Sequence, residues 1–294
     1  MKKLIFTLLS FAISSPVFSQ ENTVTPLRAS DPTQPFTSID FNAGLNFTHF
    51  GSMSENSELD SWEFGLKGDF AIKNFGLGVF LSSSNNGQLN QLINDVKLDF
   101  KYQIHKNSGF YSSSLIKIGL SSPTFPEMDD LNLFNPYDNA TDFLEINMTY
   151  TGALRLKPNL SFYPTFEIYH RSKENSYIHV NLDSVYFAPD ITQNGIRLGG
   201  MLAYDWKNSF IQLGSGWSTG NWDFKNGSIA EDNNQEYSDQ TWFVRLKYQY
   251  AISDYSQVYL SFYTKNFALK NGNEVDPIRF GLTNLSIGFK HFLN

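Results

Sequence analysis

The sequence predicts an all-β protein: a single closed antiparallel transmembrane β-barrel of about twelve strands, with short turns at one end and long loops at the other. Three observations predict it. From residue 38 onward the hydrophobic pattern has period two almost without interruption. The connections between alternating segments sort by parity, short after even-numbered segments and generally longer after odd ones. One row of each segment is apolar and nearly free of charge, while the other carries ions of both signs. Successive side chains of a strand project to opposite faces, so each segment has one oily and one ionic face. Hydrocarbon cannot hydrogen-bond a free backbone group, and only a closed sheet can present such an oily face to lipid.

The elements follow in order. Lys2 and Lys3 precede an apolar run over 4–14 that is too short to cross a bilayer, and Val17 and Ser19 place small or medium residues before Gln20. That is the pattern of a cleaved secretory signal peptide over 1–19, whose removal leaves 20 basic against 29 acidic residues, a net charge of −9. Residues 20–37 contain three prolines and no periodicity, and are expected to be a flexible lead-in. The barrel is expected over 38–294. In the first segment Ile39, Phe41, Ala43, Leu45 and Phe47 alternate with Asp40, Asn42, Asn46 and Thr48. In the second, Trp62, Phe64, Leu66, Phe70 and Ile72 oppose Glu63, Lys67 and Asp69. Further strands are expected near 75–83, 92–104, 110–120, 143–154, 160–172, 195–205, 209–217, 240–250, 257–266 and 280–293. The fourth alternates most cleanly, with Val96, Leu98, Phe100, Tyr102 and Ile104 against Asp95, Lys97, Asp99, Lys101 and Gln103. Pro164 lacks a ladder donor and predicts a bulge or kink in the seventh.

The short connections fall at 73–74, 105–109, 155–159, 206–208 and 251–256, and the longer ones at 51–61, 84–91, 121–142, 173–194, 218–239 and 267–279. Short periplasmic turns, long external loops and an even strand number are the construction of outer-membrane barrels. Aromatics near segment ends, among them Trp62, Phe75, Tyr102, Trp206, Trp217, Trp242 and Tyr250, suit interfacial girdles.

Composition excludes several classes. Charged residues are 17% of the chain, against roughly 25% for an ordinary soluble domain. No Cys is present, which excludes a disulfide framework, a thiolate metal site and a Cys nucleophile. A net charge of −7 argues against nucleic acid. No cofactor motif or metal-ligand spacing appears, and none is expected.

The inward row supplies the candidate channel lining. Asp40, Glu63, Asp69, Asp95, Asp99 and Glu145 lie on strands 1 to 6, with Lys67, Lys97, Lys101 and Lys117 between them. Arg171, Arg197, Arg245, Lys247, Lys265 and Lys290 lie on strands 7 to 12 against Glu167 and Asp205. One wall is therefore expected to be mixed to acidic and the other basic. Opposed walls would set up a transverse field favouring polar solutes, and guanidinium groups suit a carboxylate or phosphate. The alternative is that the charges pair across a lumen filled by side chains.

The external loops carry 18 Asp and Glu, among them Glu127, Asp129, Asp130, Asp138, Asp142, Glu231, Asp232, Glu236 and Asp239, against Lys173, Lys225, Lys270 and Arg279. Plain loop solubility accounts for them, and the alternative is that divalent cations bridge such carboxylates to lipopolysaccharide phosphates.

Strand count, loop parity and signal peptide over about 38–294 resemble the monomeric outer-membrane porins and solute-specific channels of twelve to fourteen strands, such as the oligogalacturonate porins and the nucleoside channel. The resemblance is one of architecture. It implies a location in a Gram-negative outer membrane, passive diffusion of small polar solutes, anionic ones among them, and no enzymatic activity. The chain ends Phe292-Leu293-Asn294, whereas such barrels usually finish on an aromatic residue. A non-conducting structural or adhesive barrel acting through its loops is a second reading. A third rests on His170-Arg171-Ser172, which resembles the His-x-Ser pair of outer-membrane phospholipase A. That family's pattern continues Ser-Asn-Gly where Lys173 and Glu174 stand here, with Asn175 or Asn181 as candidate third members.

Overall fold

The computed structural model describes residues 31–50, 57–86, 91–106, 111–121, 144–173, 178–181, 184–187, 190–225, 237–271 and 278–293. Twelve strands form one closed antiparallel barrel in the order β1-β14-β13-β12-β11-β10-β7-β6-β5-β4-β3-β2. They are β1 (Ser38–Phe50), β2 (Ser57–Ile72), β3 (Phe75–Asn86), β4 (Gln91–Lys106), β5 (Tyr111–Ser121), β6 (Leu144–Lys157), β7 (Leu160–Lys173), β10 (Asp190–Trp206), β11 (Ser209–Lys225), β12 (Tyr237–Ser253), β13 (Ser256–Asn271) and β14 (Ile278–Phe292). Two further strands, β8 (Ile178–Asn181) and β9 (Ser184–Phe187), pair with each other in the connection between β7 and β10. The seam is continuous: β1 pairs with β14 from Ser38↔Phe292 to Phe50↔Phe280 without a register shift. No edge is left to face lipid.

Burial is inverted relative to a soluble protein. Among the described residues 40 large apolar side chains are exposed and only 8 hydrophobic residues are buried, while 19 buried residues are polar or charged. Phe64, Phe100, Ile146, Leu198, Leu213, Leu260 and Ile287 are typical of the outer belt. Each lies on the row that the period-two pattern assigned to lipid. Two aromatic girdles bound the belt. Phe75 and Tyr102 pair at 4.8 Å between ring centroids near the short turns, and Trp217 and Trp242, directly opposite in register, pair at 6.4 Å nearer the loops.

The turns at 73–74 and 207–208 each hold a Lys with φ 53°, at Lys73 and Lys207. Hairpin turns of this primed kind match the right-handed twist of the flanking strands.

Three expectations are revised. Strands β10, β11 and β12 have 17 residues each, whereas about 9–11 suffice to cross a membrane. Much of what read as loop at 173–194, 218–239 and 267–279 is therefore strand. Above the lipid belt both faces become polar, so the hydrophobic alternation stops while the hydrogen-bond ladder continues. Because β3 and β4 extend further than expected, only residues 87–90 separate them, as many as separate β4 from β5, although the parity otherwise holds. Pro164 causes no bulge. It pairs with Gly200 of β10 in unbroken register, and toward β6 the ladder skips from Thr151↔Thr165 to Leu154↔Phe162 at the same register. The missing donor costs two rungs and no extra residue. Phe292, on the row opposite Ile287 and Phe289, turns inward, where it is buried against Phe36 with ring centroids 6.1 Å apart.

Candidate functional site: the ionic interior

Every candidate lining residue has the parity of the inner face. Glu63 and Lys265 stand on inward rows. The side chain of Asp95, with most of the acidic loop residues, lies outside the described residues, as do Asn175 and the Asn181 side chain. Among the loop acids Asp223 lies on β11, and Asp239 is placed most differently from its expected position. It belongs to β12, faces inward and is buried, a correction to its reading as an external loop residue.

The largest network joins β6, β7, β10 and β12 toward the loop end. Register places Glu145, Arg171 and Gln193 in one inward cross-strand row and Thr149, Glu167 and Arg197 in another, with the row of Asn147, Tyr169 and Gly195 between them. Glu145 accepts from Arg171 Nε and, at 3.2 Å, from Arg197 Nη2. Glu167 accepts from Arg197 Nη1 and, at 2.9 Å, from Thr149 Oγ1. Arg171 Nη1 donates to Gln193 Oε1 at 2.9 Å, and Gln193 Nε2 donates to Asp239. The ring of Tyr169 lies beneath both guanidinium groups, 4.2 Å from Arg197 and 4.8 Å from Arg171. Gly195 makes room for it, since a Cβ there would fall 2.3 Å from Tyr169 Cζ. Charge-assisted bonds among pre-positioned planar groups form a rigid constellation.

A second network lies on β2, β4 and β5. Asp69 pairs with Lys67 at 3.1 Å and with Lys101, and Asp99 with Lys117 at 3.6 Å. Lys101 reaches Asp69 across β3 because Gly78 stands between them, where a Cβ would meet Asp69 Oδ1 at 2.7 Å.

The third region spans the seam. Tyr259 of β13 lies across Gly288 of β14 and donates to Asp40 Oδ1 of β1 at 2.6 Å. Lys247 Nζ sits 3.7 Å above the Tyr259 ring, and Lys290 Nζ 5.0 Å from the Phe292 ring. Among the described residues Arg245, Lys247 and Lys290 have no carboxylate within ion-pair distance.

The interior is thus asymmetric, but not along the boundary between strands 1–6 and 7–12. Arg171 and Arg197, expected on a basic wall, are neutralised by Glu145 and Glu167, and with Asp239 that side holds three carboxylates to two guanidiniums. The cation excess lies instead around the seam, where Arg245, Lys247 and Lys290 join Lys67, Lys101 and Lys117 against Asp40, Asp69 and Asp99. The residues that organise these groups, Tyr169, Gln193 and Tyr259, were missed by a reading that counted charges. An inward aromatic facing a Gly on the neighbouring strand was the available signal.

His170 faces outward and is exposed, and its Nδ1 lies 2.8 Å from Asn194 Oδ1 on β10. Ser172 shares its row.

A closed antiparallel barrel with an oily exterior, girdles and a charged interior is a transmembrane β-barrel of outer-membrane type. No family model and no curated protein matches the sequence. Among solved structures the chain is similar to the NanC porin (14% identity, TM-score 0.42, covering 87% of this chain and 100% of that one). It is also similar to the KdgM porin in complex with disordered oligogalacturonate (13%, TM-score 0.45, covering 87% and 99%). A third is the β domain of the Bordetella autotransporter BrkA (9%, TM-score 0.45, covering 88% and 100%).

Proposed function

We propose that this chain is an outer-membrane channel for passive diffusion of small polar solutes, with a preference for anions. The observation that carries the reading is the seam-side patch of Arg245, Lys247 and Lys290, cations facing the interior with no ion pair among the described residues. A charge held at a low-dielectric wall raises the local concentration of solutes of opposite sign. Lipopolysaccharide would surround the loop-end girdle, and divalent cations would meet the acidic loops. In planar bilayers the parent is expected to give discrete ohmic steps. Arg245→Gln with Lys290→Gln should move the reversal potential toward cations, lowering the anion-to-cation permeability ratio roughly tenfold. An unchanged reversal potential rejects the patch as lining, and a silent but heat-modifiable barrel favours a structural or adhesive role through the loops.

One observation favours a second reading, hydrolysis of a membrane lipid. In the tautomer that donates from Nδ1 to Asn194 Oδ1, His170 keeps Nε2 as an acceptor for a hydroxyl, and Ser172 stands two residues along the same lipid-facing row. Vesicle phospholipid hydrolysis that Ser172→Ala abolishes would establish it; a parent without activity disposes of it.

A further inference from the structure

Residues 31–37 form no strand, yet they are tightly held inside the short-turn mouth. Thr37 anchors one end beside the seam: its Oγ1 accepts from Ala71 N of β2 and its carbonyl from Leu293 N, each at 3.0 Å. Phe36 meets Phe292, and Pro35 rests where Gly76 of β3 lacks a side chain, a Cβ there falling 3.0 Å from Pro35 Cβ. Farther in, Thr33 is 0% exposed; its hydroxyl bonds Ser113 of β5, and its carbonyl accepts from Gln103 Nε2 of β4 at 3.1 Å. Asp31 closes the turn on itself, accepting from Thr33 N at 2.9 Å and Thr33 Oγ1 at 2.7 Å. The ionisable groups coupled to this end are Arg155 of β6 and, through Asp31, Tyr163 of β7 and Asp205 of β10. β7 is the sixth strand from β1 in a ring of twelve. The segment therefore runs from the seam past β2, β3 and β4 to β5, and its acidic end faces the ionisable groups of β6, β7 and β10.

We propose that residues 31–37 are a strap that closes the short-turn mouth and must leave its seat for solute to pass; this rests on the channel reading above. The barrel does not need the segment for closure, because β1 and β14 already complete the ring. At its inner end the wall receives it with a small buried side chain, Ser113. Its hold is a handful of hydrogen bonds, two apolar contacts and a self-capped turn, a modest set that can be released as a unit. Burial raises the Asp31 carboxyl above the ordinary carboxylate range, although bonds from Thr33 and Gln34 and the charge of Arg155 oppose the rise. The seated strap then binds protons more readily than the released one, so acidification favours the seat.

The chain has no Cys, so Thr33→Cys with Ser113→Cys can form only one intramolecular disulfide. Deletion of residues 31–36 is expected to raise single-channel conductance several-fold. The oxidised double variant should stay at or below the parental level until reduction releases it. Equal conductance of parent and deletion overturns the strap and leaves the channel reading intact. Failure of the two thiols to cross-link overturns the seat. Silence of both parent and deletion overturns the channel reading itself.

Discussion

Glu145→Gln is expected to be the most damaging single change of charge in the barrel. The carboxylate is 5% exposed and is shared by Arg171 and Arg197. Without it two guanidinium groups converge on one tyrosine ring, and Glu167 can compensate only Arg197. Removing one member of a buried ionic set costs about 3–5 kcal/mol, because the charge left behind has lost water and partner alike. The lower end applies here, since Arg197 retains access to solvent on the lumen side. Glu167→Gln is the control. It leaves Arg197 bonded to Glu145 and forfeits a charge-assisted bond worth about 1.5–3 kcal/mol. Urea midpoints in micelles, read by tryptophan fluorescence, separate the two. A companion Arg171→Met should recover part of the Glu145→Gln loss, because one of the two guanidinium groups that shared Glu145 goes with it. Equal losses for the two Glu variants would mean that the arginines do not share Glu145.

The parts of this molecule that the sequence made legible are those that lipid enforces. Leu246 or Ile287 can only be apolar where hydrocarbon touches it, so the outward rows announce themselves and the barrel follows. Above the belt that constraint ends. Gln193 and Asp239, flanked by Thr, Asn and Ser, carry no hydrophobic rhythm, and the strands holding them read as loops although their backbones remain paired. Partner choice inside the barrel was hidden for a different reason. Whether Lys101 meets Asp69 or Asp99 depends on the register of three strands and on the absence of a side chain at Gly78. Composition ranks charges but cannot place them, and Arg171 and Arg197, expected on a basic wall, meet Glu145 there. The mouth segment was invisible because Asp31, Thr33 and Phe36 are positioned by what they touch, with no period of their own.

Gly288→Val should be the most damaging change to the seam. A Cβ at this position would lie 2.1 Å from Tyr259 Cζ and 2.6 Å from the carbonyl oxygen of Phe41. The first contact can be relieved only by turning the tyrosine away, which breaks its 2.6 Å bond to Asp40 and uncovers the ring beneath Lys247. The second is backbone and can be relieved only by parting β1 from β14, the pair that closes the barrel. Forced overpacking costs typically about 1–3 kcal/mol, with the lost hydrogen bond of about 1 kcal/mol added to it. At a seam the consequence exceeds the sum, because an opened edge exposes unpaired backbone groups to lipid. The heat-modifiable folded band is therefore expected to disappear from Gly288→Val on semi-native gels. Tyr259→Phe, which keeps the ring and loses only the hydroxyl, should fold normally and lose about 1 kcal/mol. Gly288→Val combined with Tyr259→Ala should refold in part, since the ring clash is gone and the Phe41 carbonyl contact remains. If Gly288→Val alone folds like the parent, Tyr259 does not lie over β14, and the inner face of the seam is built differently.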